Sequence, residues 1–491
     1  MKKLAHLLVV CACFFANAAF AQTESTLYFM NSLPQVVDAN PAIMPRYKLT
    51  IGLPIISSVG AIYSNNGFTY NDIVSKTNGV VSANLSKWTQ GLAEKNYVTV
   101  AVQTDLFRVG VRLNPKMYLM VSSTARGYNR SMIPKGLASL AVDGTAPLIG
   151  TFSNTAPQEE AVGFLETNLG LSYQASPKLT IGGRLKYLNG MSNITTESSS
   201  LVVQVSDTYQ ITATGSAVVR TSGINNLGNS NYKASDVFKN SGWGVDLGAT
   251  YKFMDKLTVG FSLTDIGYIK WTNNTYQYTL DPATAKYTFS GLDMNKLLAH
   301  NSTYLSGQLD SLKTKFQMKE TPSGSYTTML PGKMYINGTY QIITNLSAGV
   351  LFFTEKYRGR TNSGITAAVN KNFGKWVSTS LTYTVSNRSY NNIGLGLSFN
   401  VAPVQLYIVG DNLLGAPVSL IGSQNLDSYL NSASLITVRA GLNFVFGWDK
   451  GLSKGADVKD ESHNPKQKTS NAKVKNTYGR TPAKKKSKVG R

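Results

Sequence analysis

The feature that most constrains this chain is an alternation of period two, sustained in several stretches for about ten residues. In KLTIGGRLKYL, Leu179, Ile181, Leu185 and Tyr187 fall on one face; Lys178, Thr180, Gly182, Arg184 and Lys186 take the other. LTVGFSLT sets Leu257, Val259, Phe261 and Leu263 against Thr258, Gly260, Ser262 and Thr264. In WVSTSLTYTV and NIGLGLSFNV the apolar faces are Val377, Leu381, Tyr383 and Val385, then Ile393, Leu395, Leu397 and Phe399. VRAGLNFVFG closes the series with Val438, Ala440, Leu442, Phe444 and Phe446. Successive strand side chains point to opposite sides, so each run reads as a strand with one apolar and one polar or small face. Soluble sheets alternate too, but usually in strands of about five or six residues. A tilted strand that crosses a bilayer needs roughly 9–11.

The connections point the same way. YQASPKLT, YKFMDKLT and the stretches around Asn345 and Gly374 are short polar turns, whereas 145–160, 221–241 and 411–433 are long polar segments. Short turns at one end and long loops at the other are the pattern of an antiparallel transmembrane β-barrel. Counting runs predicts about fourteen strands, in a range of roughly 12 to 16. Closure removes the unpaired edge that lipid would not tolerate. The Gly, Ser, Thr and Asn of the polar face suit a wet or plugged lumen. Trp243, Trp271, Trp376 and Trp448 fall near strand ends, where an interfacial girdle would sit.

Two segments break the period. Ile133 to Gly144 reads as a helix from Pro134, with Leu137, Leu140 and Ala141 on one face. MNKLLAHNSTYLSGQLDSLKTKF places Leu305, Leu309, Leu312 and Phe316 at helical spacing. Both are expected as loop helices over the barrel mouth, with a plug or lid as the sharper reading.

Residues 1–21 read as an export leader: Lys2 and Lys3, a short apolar run, then Ala19, Phe20 and Ala21 before a cut at Gln22. Both cysteines, Cys11 and Cys13, lie there, so the exported chain offers no disulfide, thiolate nucleophile or Cys-ligated metal. Beyond the leader no run of about 18 apolar residues occurs, so no helix is expected to span a membrane. The net charge of +22 is uneven. Residues 451–491 hold ten Lys and two Arg against Asp457, Asp460 and Glu461. That composition predicts a disordered basic tail over 450–491. An exported chain meets little nucleic acid, so none is expected as a partner.

Catalytic constellations are wanting. After the leader the histidines are His300 and His463, and His463 belongs to the tail. No HExxH spacing or phosphate loop occurs, so neither a metal nor a cofactor is expected and the chain reads as a non-enzyme. Asp265 in LTDIG and Asp411 in VGDNL sit where strands should end and read as turn caps.

Several stretches also resemble known proteins. NLGLSYQASPKLTIGGRLKYLNG, GWGVDLGATYKFMDKLTVGFSLTDIGYIKW and VQLYIVGDNLLG are similar to the FadL/PorV-type outer-membrane barrels of Bacteroidota. FSGLDMNKLL with TMLPGKMYINGTY fits, more narrowly, an uncharacterised domain-of-unknown-function family there. DANPAIMPRY carries Asn40, Pro41 and Ala42, matching the Asn-Pro-Ala element near the N-terminus of FadL-like proteins. GLNFVFG fits the outer-membrane assembly signal, with Gly441, Phe444 and Phe446 at the required spacing, although here it is internal. The resemblance spans residues 25–448 and implies one barrel over 22–449 in the outer membrane; an even strand number would put both termini in the periplasm. Its N-terminal segment, 22–46, would be tucked into the lumen or the periplasm. It further implies passage or binding of a hydrophobic small molecule, with Asn40, Pro41 and Ala42 in the luminal segment. The alternative is a PorV-like, non-transporting barrel that docks partners of type IX secretion. Lys484, Lys485, Lys486 and Lys488 of the tail would then tether it to peptidoglycan or periplasmic proteins. Outer-membrane lipids and the insertion machinery complete the expected partners.

Overall fold

The computed structural model describes residues 24–67, 74–77, 80–83, 85–224, 234–290, 302–358, 360–386, 389–412 and 435–448. The leader, His300, the connection at 413–434 and the tail with Lys484, Lys485, Lys486 and Lys488 lie outside the described residues.

The alternating runs form one closed antiparallel barrel of fourteen strands. The first strand is broken in two, β1 (Tyr47–Gly52) and β2 (Val59–Asn65). Then follow β3 (Lys95–Asn114), β4 (Met117–Pro134), β5 (Gln158–Gln174), β6 (Leu179–Val205), β7 (Asn240–Lys252) and β8 (Leu257–Trp271). The second half runs through β9 (Gly332–Ile343), β10 (Leu346–Tyr357), β11 (Arg360–Phe373), β12 (Val377–Ser386), β13 (Ser389–Val401), β14 (Val404–Asp411) and β15 (Leu435–Trp448). Closure runs through the broken strand, which pairs with β3 on one side and β15 on the other: Gly52 faces Arg108 and Asn443, and Val59 faces Thr104 and Ala440. The turns after β3, β5, β7, β9, β11 and β13 are short and share one end with Tyr47 and Trp448.

Alternation decides what each face meets. Ile181, Leu185, Val350, Ile365, Val369, Leu381 and Tyr383 stand exposed on the outside, while Arg184, Lys186, Thr366, Ser380 and Thr382 are buried inside. An apolar exterior this continuous is far larger than the patches that soluble monomers expose, and it suits lipid. Exposed Tyr173, Tyr251, Phe373, Trp376 and Phe399 ring the short-turn end, and Tyr187, Trp243 and Tyr268 mark a second band. Trp271 leaves the expected girdle: it is fully buried inside, donating from Nε1 to Thr328 Oγ1 at 2.8 Å. The cause is a bulge in β8, where the pairing with β7 slips between Val245 and Leu247. Thr264 and Asp265 both point inward, Asp265 with φ of +59°, so every later residue of the strand changes face. Asp265 is therefore a mid-strand luminal residue and not a turn cap.

Beyond the long-connection end the sheet continues. The 27-residue β6 outruns the wall and pairs there with Ile211–Ser222, which in turn pairs with Thr275–Leu280 and Lys286–Phe289. Helix α1 (Ser25–Phe29) precedes the barrel; α2 (Lys135–Val142) follows Pro134 and stops before Gly144, as the spacing predicts, although Ala138 rather than Ala141 is its buried residue. Helix α3 (Ser302–Lys315) is followed by Phe316, which packs against Ala217, Leu280 and Ala285 of the outer extension.

Leu381→Arg would put a charge on the lipid face and should destabilise the refolded barrel by about 2–4 kcal/mol. Urea unfolding in lipid vesicles measures it; an effect under about 0.5 kcal/mol, the size expected of an ordinary surface position, would contradict a lipid-facing Leu381.

Candidate functional site

The short-turn half of the lumen is filled by the chain's own N-terminal segment. Helix α1 lies against β11 to β14, and a 3₁₀ turn over Pro34–Asp38 continues across the barrel. Small wall residues make the room. A side chain at Gly349 would sit 2.5 Å from the Phe29 ring, and one at Gly394 2.2 Å from Thr26 Oγ1. Tyr28 and Phe29 pack on Tyr335, Leu351, Phe353 and Ala368 of the wall. Asp411 accepts from the Thr26 amide at 3.0 Å and its hydroxyl at 2.6 Å. Its partner is thus the plug helix, and the turn-cap reading fails because its strand end faces α1.

Asn40, Pro41 and Ala42 are buried in this segment. Asn40 Nδ2 donates to the Tyr28 hydroxyl at 3.0 Å, and its Oδ1 accepts from the Ala42 amide at 2.9 Å. Ser172 Oγ donates to the Pro41 carbonyl at 2.6 Å, and Ser262 Oγ to that of Ala39 at 2.7 Å. The fit requires glycine at 182, where a Cβ would stand 2.0 Å from the Pro41 oxygen. Gly441, Phe444 and Phe446 lie on β15; Phe446 is exposed on the outer face. Gly441 accommodates the Ser57 carbonyl, which the inward loop between β1 and β2 brings within 2.1 Å of where its Cβ would be.

The opposite wall is charged. Asp38 Oδ atoms meet Arg108 at 2.9 Å, Arg184 at 2.5 Å and Arg439 at 3.0 Å. From there one network continues. Arg439 reaches Glu24 at 2.9 Å and Arg108 reaches Asp105 at 2.8 Å; Arg184 Nε donates to Asp246 at 2.6 Å. Lys186 then bridges Asp246 and Asp265, and Arg126 bridges Asp265 and Glu166, with Lys333 3.4 Å from Asp265. Six cations and six carboxylates are joined, and Glu24 and Asp38 come from the N-terminal segment. Burial alone would raise the Asp38 carboxyl; the guanidiniums of Arg108, Arg184 and Arg439 outweigh it and hold the carboxyl well below the usual range.

Above this floor lies a chamber of about 90 Å³, lined by Asp38, Arg126, Lys333 and Glu355 and by Phe164, Leu330 and Tyr335. Phe164 and Leu330 also belong to an apolar cluster with Val162, Leu188, Ile269, Trp271 and Tyr326, which forms the chamber's outer side. Glu355 is buried; its Oε1 accepts from Asn362 and Arg130, each at 3.3 Å, while its Oε2 has no partner. Among the described residues no cluster of His, Cys, Asp and Glu could hold a metal. Sequence reasoning placed Arg184, Lys186 and Arg439 on polar strand faces but did not reach Asp38, Arg108 or Glu355. Their partners include residues 70 to some 400 positions away, as in Arg108–Asp38, Glu355–Arg130 and Arg439–Asp38, and local pattern does not pair them.

Asp38→Ala would leave three buried guanidiniums short of a carboxylate, at a cost of about 3–5 kcal/mol. Gly182→Val would push on the Pro41 carbonyl. Both should expose 24–46 to protease while the barrel stays intact; continued protection in both would contradict this anchoring. Because the folded Asp38 value is depressed, its contribution is complete above an ordinary carboxylate pKa of about 4 and fades only as pH falls through the lower folded value. Protection of 24–46 should therefore be flat from pH 7 to about pH 5 and weaken below about pH 4.

No curated protein matches the chain. Among solved structures it is similar to the Ralstonia pickettii toluene transporter TbuX, at 10% identity and a TM-score of 0.40, covering 88% of this chain and 96% of that one. It is similar also to a Pseudomonas aeruginosa FadL homologue, at 9% and 0.37 with 84% and 94% covered, and to the P. putida toluene transporter TodX, at 9% and 0.35 with 88% and 96% covered. A family model spans residues 41–411, and the chain belongs to that family, DUF5723, a family of unknown function.

Proposed function

We propose that this chain is an outer-membrane barrel that binds a small amphipathic molecule in its luminal chamber and passes it inward when the N-terminal segment withdraws. The observation that carries this reading is the mixed lining of the chamber. Phe164, Leu330 and Tyr335 offer an apolar surface, and in the same lining Glu355 Oε2, on the strand next to Tyr335, lacks a donor. A pure hydrocarbon would leave Glu355 Oε2 desolvated without a donor, which is costly. A hydrophobic molecule with a polar end suits both. A water needs roughly 10–15 Å³ on this measure, so about 90 Å³ admits a molecule of several non-hydrogen atoms but no long acyl chain.

The rest of the reading follows from the export leader and the end at which the turns are short. Residues 1–21 are removed, the short-turn end and both termini face the periplasm, and Gly441, Phe444 and Phe446 are read by the insertion machinery. Asn40, Pro41 and Ala42 act by seating the luminal segment. A second reading, a docking barrel tethered through Lys484, Lys485, Lys486 and Lys488 to peptidoglycan or secretion partners, is favoured by one observation, the filled short-turn half of the lumen.

Native mass spectrometry of the detergent-solubilised protein with hexylamine, hexanol or hexanoate tests the choice. One retained molecule per barrel is expected for at least one of them. Glu355→Gln should weaken hexylamine about tenfold, since a hydrogen bond to a charged group is worth about 1.5–3 kcal/mol. Retention of none, with protein partners that disappear when 451–491 is deleted, would favour docking.

A further inference from the structure

Three guanidiniums converge on one carboxylate that does not belong to the barrel wall. Arg108 and Arg439 hold Asp38 Oδ2 at 2.9 and 3.0 Å, and Arg184 holds Oδ1 at 2.5 Å. Each arginine is also fixed by the wall itself: Arg108 by Asp105, Arg184 by Asp246, and Arg439 through Nε to Ser58 Oγ at 2.7 Å. Asp38, Arg184 and Arg439 all line the chamber, but the arginine side chains are only 2–3% exposed and that of Asp38 is 22% exposed. The carboxylate is the accessible member of the cluster, on the side from which a ligand would arrive.

We propose that Arg108, Arg184 and Arg439 form an anion site of the channel that Asp38 occupies in cis, and that a small carboxylate- or phosphate-bearing molecule opens the barrel by taking the place of Asp38. The proposal rests on the channel reading above. Guanidinium forks match carboxylate and phosphate oxygens alike. Replacement by a like group also avoids a stranded charge. Withdrawal of the segment alone would take both carboxylates from Arg439, Asp38 and Glu24, because both lie on it. The wall left behind carries six networked cations and four carboxylates, so the open lumen attracts anions.

Residues 22–491 contain no cysteine, and the Ser32 hydroxyl is buried without a partner, so Ser32→Cys reports the seat of the segment through maleimide labelling. The full exported chain is labelled with sodium hexanoate or sodium hexyl phosphate, and with sodium chloride or hexyltrimethylammonium chloride at equal ionic strength. A saturable rise of about tenfold with an anionic amphiphile is expected, within the usual range for coupled sites, and the responding arm tells carboxylate from phosphate. Asp38→Asn in the same background should label fast without ligand and lose the anion dependence. Arg439→Lys, which keeps the charge and loses the fork, should raise the anion concentration needed for half-maximal labelling. No rise with either anion, an equal rise with the cationic amphiphile, or an unmoved midpoint in Arg439→Lys would each overturn the proposal. Retention of an amphiphile by native mass spectrometry with labelling indifferent to anions would overturn this inference alone. Retention of none would overturn the channel reading with it.

Discussion

Charges inside a closed barrel have to be matched by other charges inside it. The wall turns an apolar face outward, and water reaches only the unfilled part of the lumen, so an unpaired luminal cation would be expensive. The inward positions of β3, β4, β6, β9 and β15 carry Arg108, Arg126, Arg184, Lys186, Lys333 and Arg439. The wall answers with Asp105, Glu166, Asp246 and Asp265, and the N-terminal segment supplies Glu24 and Asp38. The folded position of the segment is set by that deficit as much as by packing.

The lumen divides accordingly. Along β11 to β14 the inner face is mostly Ser, Thr, Asn and Gln, with Ala368, Tyr407, Val409 and Asp411 among them, and helix α1 rests there on Thr382, Gly394 and Gly396. Across the barrel the face is ionic, and the chain arrives through Asp38. Between the two, Asn40, Pro41 and Ala42 bring the backbone against Gly182 and Gly248, where a Cβ would collide with it. Two different chemistries thus hold one short segment, a close backbone fit on glycine and a charge junction on arginine. The first suits permanence and the second exchange, since ions compete with ions.

The same arrangement separates a charged floor from an apolar outer side. The bulge at Asp265 matters for both. By adding one residue to β8 it turns Asp265 into the floor, where Arg126, Lys186 and Lys333 meet it, and turns Ile269 and Trp271 inward to build the side above. A strand of unbroken alternation would have turned Asp265, Ile269 and Trp271 outward together, with Leu257, Val259 and Phe261.

The sequence by itself determined the kind of wall. A period of two over runs of about ten residues leaves few folds open, and the turn lengths orient the strands, so barrel class, strand number and the outward faces of β6, β8, β12, β13 and β15 were legible. Helix α2 was legible from Pro134 and Gly144. What alternation cannot carry is a change of phase: the bulge hid the role of Asp265 and sent Trp271 to the wrong face. Nor does local pattern say which cation meets which carboxylate. Arg439 finds Glu24 and Asp38 across some four hundred residues, and Asp411 finds Thr26 over a similar gap, because closing the sheet brings first and last strands side by side. The filled lumen, its charge balance and the chamber above it were decided only in three dimensions, where shape complementarity between a glycine-lined wall and one short segment could act.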